Sequence, residues 1–263
     1  MLHSYQYGPK DATPFVFLHG FLGSGAIFPQ IFERFRPDIS FNAVSPDLPY
    51  HGKSADIRPE NEAEWVEVLD QWVQKTFDQP ILLHGYSMGG RLALAYAAKY
   101  PDRIKGAFFE STRFGFRHQQ TQLIHDRLEE DKKTASQIRN NFKNFLNEWQ
   151  EKSLFQTPHI HPFTAELNKE IQEKQKAEAM AQALMSFSTA KMRDVRKIIM
   201  DMDMPAAVLL GSEDHQYRNH AQELVIYFGD ADFYIVEGAK HRVHVDQPDG
   251  WTRQVVEFFN QYP

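Results

Sequence analysis

Ile81-Leu82-Leu83-His84-Gly85-Tyr86-Ser87-Met88-Gly89-Gly90-Arg91 is the stretch that decides the fold. The apolar run Ile81-Leu82-Leu83 reads as a buried strand. Downstream, Leu92-Ala93-Leu94-Ala95-Tyr96-Ala97-Ala98 reads as a strong helix, stopped by Pro101. Gly-x-Ser-x-Gly lies between them. A turn that passes this abruptly from strand to helix leaves no room for a Cβ beside the serine, which accounts for glycine on both sides. Free N–H groups at a helix start near Met88 favour negative charge next to Ser87. A serine that merely caps the helix fits the same five residues, so the rest of the chain has to discriminate.

Working outward, Phe15-Val16-Phe17-Leu18, Phe41-Asn42-Ala43-Val44 and Gly106-Ala107-Phe108-Phe109 read as further strands, with a helix over Glu60–Phe77. The alternation stops near Arg113. From there to Thr189 the chain is rich in Lys, Glu, Gln and Asn with helical apolar spacing and no clear strand. It then resumes: strand Ala206–Leu210, helix Ala221–Phe228, strand Asp232–Val236 and a closing helix from Gln247 to Phe259. This order predicts an α/β protein, with a mostly parallel central sheet covered by helices on both faces. Residues 1–112 and 190–263 form its core, and 113–189 a helical insertion.

Bulk properties narrow the partners. At 263 residues and 42% hydrophobic content the chain is long enough for a sizeable core. Its net charge of −6 gives no reason to expect nucleic acid, and an anionic substrate would have to be met by locally placed Arg or Lys. With no cysteine, disulfides, zinc–thiolate sites and a cysteine nucleophile are excluded. No secretory leader and no apolar run of membrane-spanning length is visible, so the expectation is a cytoplasmic protein without a membrane partner. Oligomeric state is not legible.

A serine hydroxyl needs a base, and the base an orienting acid. Asp214 follows the strand ending at Leu210, and His241 follows the strand ending at Val236. Both therefore fall at the carboxyl ends of strands, on the edge of the sheet that carries Ser87. Glu213 competes with Asp214; among twelve histidines, His244 and the adjacent His215 compete with His241. Serine, acid and histidine in that order resemble the triad of the α/β-hydrolase fold, and with it comes an oxyanion hole. Here the backbone N–H groups of Met88 and of Phe21, in His19-Gly20-Phe21, would form it. His19 itself reads as a packed loop residue, and Asp47–Ser54 as a structural turn.

A narrower resemblance surrounds the serine. Gly85-Tyr86-Ser87-Met88-Gly89-Gly90-Arg91 resembles the elbow of the MenH family, the 2-succinyl-6-hydroxy-2,4-cyclohexadiene-1-carboxylate synthases of menaquinone biosynthesis. Glu110-Ser111, Phe145-Leu146-Asn147-Glu148-Trp149 and Arg127, four before Asp131, are similar to that family's pattern. The chain departs from it at Gln150, Ser153 and Lys240, and offers only Lys174 or Lys176 where a further arginine is expected. Arg91 lies one helical turn beyond Ser87 and so projects on its side, where a guanidinium can grip a carboxylate bidentately. An ion pair with Asp47 or Glu110 is its alternative.

The resemblance implies a small, carboxylate-bearing substrate. Tyr86, Arg91, Arg127 and Trp149 would bind it, and the helical insertion would act as a lid. Ser87, activated by His241 and Asp214, would take a ring proton while pyruvate is eliminated, with no metal or organic cofactor. An esterase, thioesterase or carbon–carbon bond hydrolase working through an acyl-enzyme would use the same triad. A hydrolase-fold binding protein without turnover is a third reading.

Overall fold

A computed structural model describes all 263 residues. In chain order the elements are β1 (Ser4–Tyr7), β2 (Pro14–Leu18), α1 (Ile27–Phe35), β3 (Asn42–Pro46), α2 (Glu62–Thr76), β4 (Ile81–Tyr86), α3 (Met88–Lys99) and β5 (Ile104–Glu110). Four helices follow without an intervening strand: α4 (Thr121–Asn140), α5 (Phe142–Gln150), α6 (Pro162–Glu173) and α7 (Ala177–Ser186). The chain then completes α8 (Arg196–Met200), β6 (Ala206–Gly211), α9 (Arg218–Phe228), β7 (Asp232–Val236), α10 (Val243–Asp246) and α11 (Pro248–Gln261).

The seven strands form one sheet in the order β1-β3-β2-β4-β5-β6-β7. All neighbours are parallel except β1, which runs antiparallel to β3 at one edge. Four elements lie outside the pattern read from the sequence, among them the short α8 and α10. β1 (Ser-Tyr-Gln-Tyr) is only partly buried and carries no apolar run, and the aromatic-rich α1 has no counterpart among the predicted elements.

Alternation along the strands splits the core in two. Phe15, Phe17, Leu82, Phe108, Ala207 and Leu209 point to one face, where Phe28 and Phe32 of α1 and Trp251 and Phe258 of α11 cover them. Val16, Leu18, Leu83, Phe109, Val208 and Leu210 point to the other, against Trp65 and Leu69 of α2, Leu92 and Tyr96 of α3, and Leu224 of α9. Ala135, Ile138, Phe145 and Met180, from the helices between β5 and β6, join that second cluster. Strands buried on both faces explain why their sequence reads as continuous apolar runs rather than as alternation. No helix is long and apolar enough to cross a membrane.

Candidate active site

Ser87 sits at the β4–α3 junction with φ +49° and ψ −104°, a left-handed conformation that is strained for a residue bearing a side chain. The turn is held by Ser87 N–H donating to the Glu110 carbonyl (2.9 Å) and by Thr112 Oγ1 donating to the Ser87 carbonyl (2.7 Å). The flanking glycines are sterically required. A Cβ at Gly85 would stand 2.6 Å from Gly90 Cα, and one at Gly89 would stand 2.4 Å from the Leu18 carbonyl oxygen.

Ser87 Oγ lies 3.0 Å from His241 Nε2, and His241 Nδ1 lies 2.9 Å from Asp214 Oδ2. Asp214 and His241 are both buried. The competitors are placed elsewhere. Glu213 faces His159 at 3.8 Å, and His215 is exposed. His244 binds Glu110 through both its Nδ1 (2.7 Å) and its backbone N–H (3.1 Å). Glu110 also accepts from His84 Nε2 (3.0 Å) and Trp251 Nε1 (2.8 Å). Burial opposes the charge on Glu110, but His244 and His84 outweigh it and hold the carboxyl well below its usual range.

A cavity of about 410 Å³ opens over Ser87. Phe21 and Met88 line it, and the backbone N–H of each has no partner within the protein. The Phe21 loop is fixed by His19, whose Nδ1 lies 2.8 Å from the Gly20 carbonyl and whose Nε2 accepts from Leu48 N–H (3.0 Å). His19 is thus a loop residue and not a cavity base. Burial pushes its pKa down to about 4, so the ring is neutral. Asp47 organises the neighbouring turns, accepting from Ser24 Oγ (2.5 Å), Gly25 N–H (3.0 Å) and Lys53 N–H (2.8 Å).

Tyr86, Arg91, Arg127 and Trp149 all line the cavity. The Tyr86 ring lies 5.5 Å from that of His241 and 4.6 Å from that of His244, and burial raises its phenol pKa well above the ordinary value. Arg91 pairs with neither Asp47 nor Glu110. Its Nη1 donates to the Phe187 carbonyl (3.1 Å) and Thr189 Oγ1 (2.7 Å), all neutral acceptors, and the guanidinium stacks over the Phe187 ring. Burial, with Arg127 nearby, pushes its pKa down to about 10, so it is still charged near neutrality. Arg127 is committed differently: its Nη2 pairs with the buried Asp131 at 2.6 Å. Trp149 packs among Phe21, Phe145 and Phe155, with Lys152 over its ring at 4.2 Å.

Several cavity residues escaped the sequence reading. Tyr217 packs on His241 with ring centroids 4.2 Å apart, and Arg242, Asn168 and Gln172 are buried cavity-lining polar groups. Arg242 could have been suspected from its place directly after His241. The others lie on helices whose polar residues give no sign of facing inward. Lys174 and Lys176, the basic residues of the expected arginine region, are exposed and pair with Glu170 and Asp56 outside the cavity.

The sheet order, the serine at the β4–α3 turn and the buried acid–histidine pair define a class. A family model described as the alpha/beta hydrolase fold matches residues 13–248, and the chain belongs to that family. Within it, several similar curated proteins carry the same activity name. A "putative 2-succinyl-6-hydroxy-2,4-cyclohexadiene-1-carboxylate synthase" of Haemophilus influenzae is 25% identical over 91% of this chain and 94% of its own length. The 2-succinyl-6-hydroxy-2,4-cyclohexadiene-1-carboxylate synthase of Citrobacter koseri is 28% identical over 95% of each. The structure of MenH from S. aureus superposes with a TM-score of 0.89 at 27% identity, covering 100% of this chain and 99% of that one. These matches bear out the resemblance read around Ser87. A thermophilic esterase from Thermogutta terrifontis (TM-score 0.80, 21% identity, covering 99% of this chain and 93% of that one) shares the fold.

Proposed function

We propose that this chain is a carbon–oxygen lyase of the 2-succinyl-6-hydroxy-2,4-cyclohexadiene-1-carboxylate synthase type. In this reading Ser87, His241 and Asp214 are its catalytic triad. The observation that carries the proposal is Arg91: a half-buried guanidinium with no carboxylate partner, on the cavity wall one turn from Ser87. A partly desolvated cation held only by neutral groups is well placed to meet an anion during function. An ordinary ester needs no such group, whereas a substrate bearing carboxylates does.

The substrate is a cyclohexene with carboxylates and an enolpyruvyl ether. His241 Nε2 accepts the Ser87 proton, and Asp214, bonded to Nδ1, supports the imidazolium that forms. The Ser87 oxygen removes a ring proton. The C–H electron pair forms a new ring double bond, the existing double bond shifts, and the ether C–O bond breaks. Enolpyruvate departs and gains a proton on carbon to become pyruvate. Negative charge that develops on a conjugated carbonyl oxygen is met by the Phe21 and Met88 N–H groups, each worth about 3 kcal/mol of barrier. Arg91 and Arg127 orient carboxylates, Tyr86 and Trp149 frame the ring, and the helices between β5 and β6 act as the lid.

The open oxyanion donors beside Ser87 also suit attack on an ester carbonyl, so acyl-enzyme hydrolysis is the competing reading. One experiment separates them: supply the enolpyruvyl substrate and follow pyruvate, alongside a panel of activated esters. Pyruvate release without a burst of acyl-enzyme is expected. Efficient ester turnover with no pyruvate would overturn the lyase.

A further inference from the structure

Two histidines, each held on a buried carboxylate, line the cavity. His241 is held by Asp214, and His244 by Glu110. The Tyr86 ring contacts both imidazoles. Each is wired alike, with Nδ1 on the carboxylate and Nε2 left for other work. His241 Nε2 meets Ser87 Oγ at 3.0 Å. His244 Nε2 has no partner within the protein and is not sealed off, because His244 lines the cavity. Proton abstraction through Ser87 uses only the first pair.

The charge on Glu110 says what the second pair can do. Glu110 is fully buried, yet its carboxyl is held well below the usual range and is ionised. Neither lysine nor arginine pairs with it. Two of its donors, the Trp251 indole and the His244 backbone N–H, are neutral. His84 donates from Nε2, but its Nδ1 is buried without a partner and burial pushes its pKa down, so that ring is neutral too. A buried carboxylate with no cation beside it is costly. His244 is the group left to hold the balancing proton. In that form both ring nitrogens are donors. Nδ1–H is tied to Glu110, and Nε2–H is presented to the cavity.

We infer that His244, backed by Glu110, is a second catalytic residue: the general acid that protonates the departing oxygen as pyruvate is eliminated. The inference rests on the lyase reading, in which an ether oxygen must leave. The ring proton goes to the Ser87–His241 pair, and its C–H electrons form the new ring double bond. The existing double bond shifts, and the ether C–O pair goes to oxygen. His244 Nε2–H protonates that oxygen in the same step, so an enol hydroxyl departs rather than an enolate. The enol gains a proton on carbon and gives up the one on oxygen to become pyruvate. One proton has been gained at Ser87–His241 and one lost from His244, and exchange with solvent resets both.

The test varies the leaving group. Two substrates share one ring: the enolpyruvyl ether, and the corresponding 4-nitrophenyl ether, whose coloured phenolate leaves without a proton. His244→Asn keeps an N–H donor where Nδ1 stands and removes Nε2. It should lower kcat for pyruvate release by about 100-fold or more, a fall at least about tenfold larger than that for 4-nitrophenolate release. Asp214→Asn, which weakens proton abstraction, should slow both reactions by a similar factor. A second measurement needs no variant. In heavy water the unmodified enzyme should lose more of its pyruvate release than of its 4-nitrophenolate release. Equal loss on the two substrates in a folded His244→Asn overturns the acid and leaves His244 a prop of the serine turn. If that variant does not fold, equal slowing of the unmodified enzyme in heavy water overturns it instead. Absence of pyruvate from the unmodified enzyme sinks the lyase reading and the acid together. Pyruvate without the leaving-group difference sinks the acid alone.

Discussion

Ser87 combines two properties that pull against stability: a left-handed backbone and a hydroxyl exposed to a cavity. Strain of this kind, of order 1–3 kcal/mol, persists only where surrounding structure enforces it, and here Glu110, Thr112 and two glycines do so. If the triad acts as a unit, Asp214→Asn should lower kcat for pyruvate release by on the order of 10³–10⁴-fold with KM little changed. A fall of less than tenfold in steady-state kinetics would argue against the assignment. Arg91 should behave differently. Replacing it by Met removes a charged hydrogen-bond donor worth about 1.5–3 kcal/mol, so kcat/KM should drop about 10- to 100-fold, mainly through KM. Ester hydrolysis of uncharged substrates, measured in parallel, should be nearly unaffected.

At the level of elements, the loops after β6 and β7 deliver Asp214 and His241, and they meet at one glycine. A Cβ on Gly211 would stand 2.2 Å from the Ala239 carbonyl oxygen and 2.4 Å from that of Lys240. Gly211→Ala should therefore push the histidine loop away from the acid. Overpacking of this kind costs about 1–3 kcal/mol, visible as a lower urea midpoint, and activity should fall together with stability. The strands and their order were legible because buried parallel strands write themselves as short apolar runs, as at Phe15–Leu18 and Ala206–Leu210. β1 was not legible: it lies at an edge, half exposed, and Ser4–Tyr7 carries no apolar period. The positions of Ser87, Asp214 and His241 were legible for a topological reason, since strand ends in a parallel sheet share one edge. Arg242, Asn168 and Gln172 were not. Whether a helical glutamine faces solvent or a cavity depends on a partner distant in sequence, and for Gln172 that partner is Gln150 of α5, itself held by Arg242 in the loop after β7.

For the whole molecule, the buried histidines set the acid limit. Burial pushes His19 down to about 4 and His51 down to about 3, against an ordinary value of 6.5 in the unfolded chain. Between those values the unfolded chain binds protons that the folded one refuses, so stability is lost as pH falls from about 6.5 toward 3. The slope is up to about 1.4 kcal/mol per pH unit for each histidine. Asp246, raised to about 6 chiefly by burial, works in the opposite direction between about 4 and 6 and partly offsets this. Denaturant melts at stepped pH should show midpoints falling below pH 6, and His51→Gln should flatten the fall. The packing of the last helix has a different consequence, one that concerns synthesis. Trp251 and Phe258 of α11 cover the Phe15, Phe17 and Phe108 face of the sheet, and the Trp251 indole donates to Glu110 directly beneath the serine turn. Until α11 is made, only α1 covers that aromatic face and the carboxylate lacks its indole donor. The nascent chain thus carries a sticky, half-built sheet until α11 emerges, and the support beneath the Ser87 turn is completed only then.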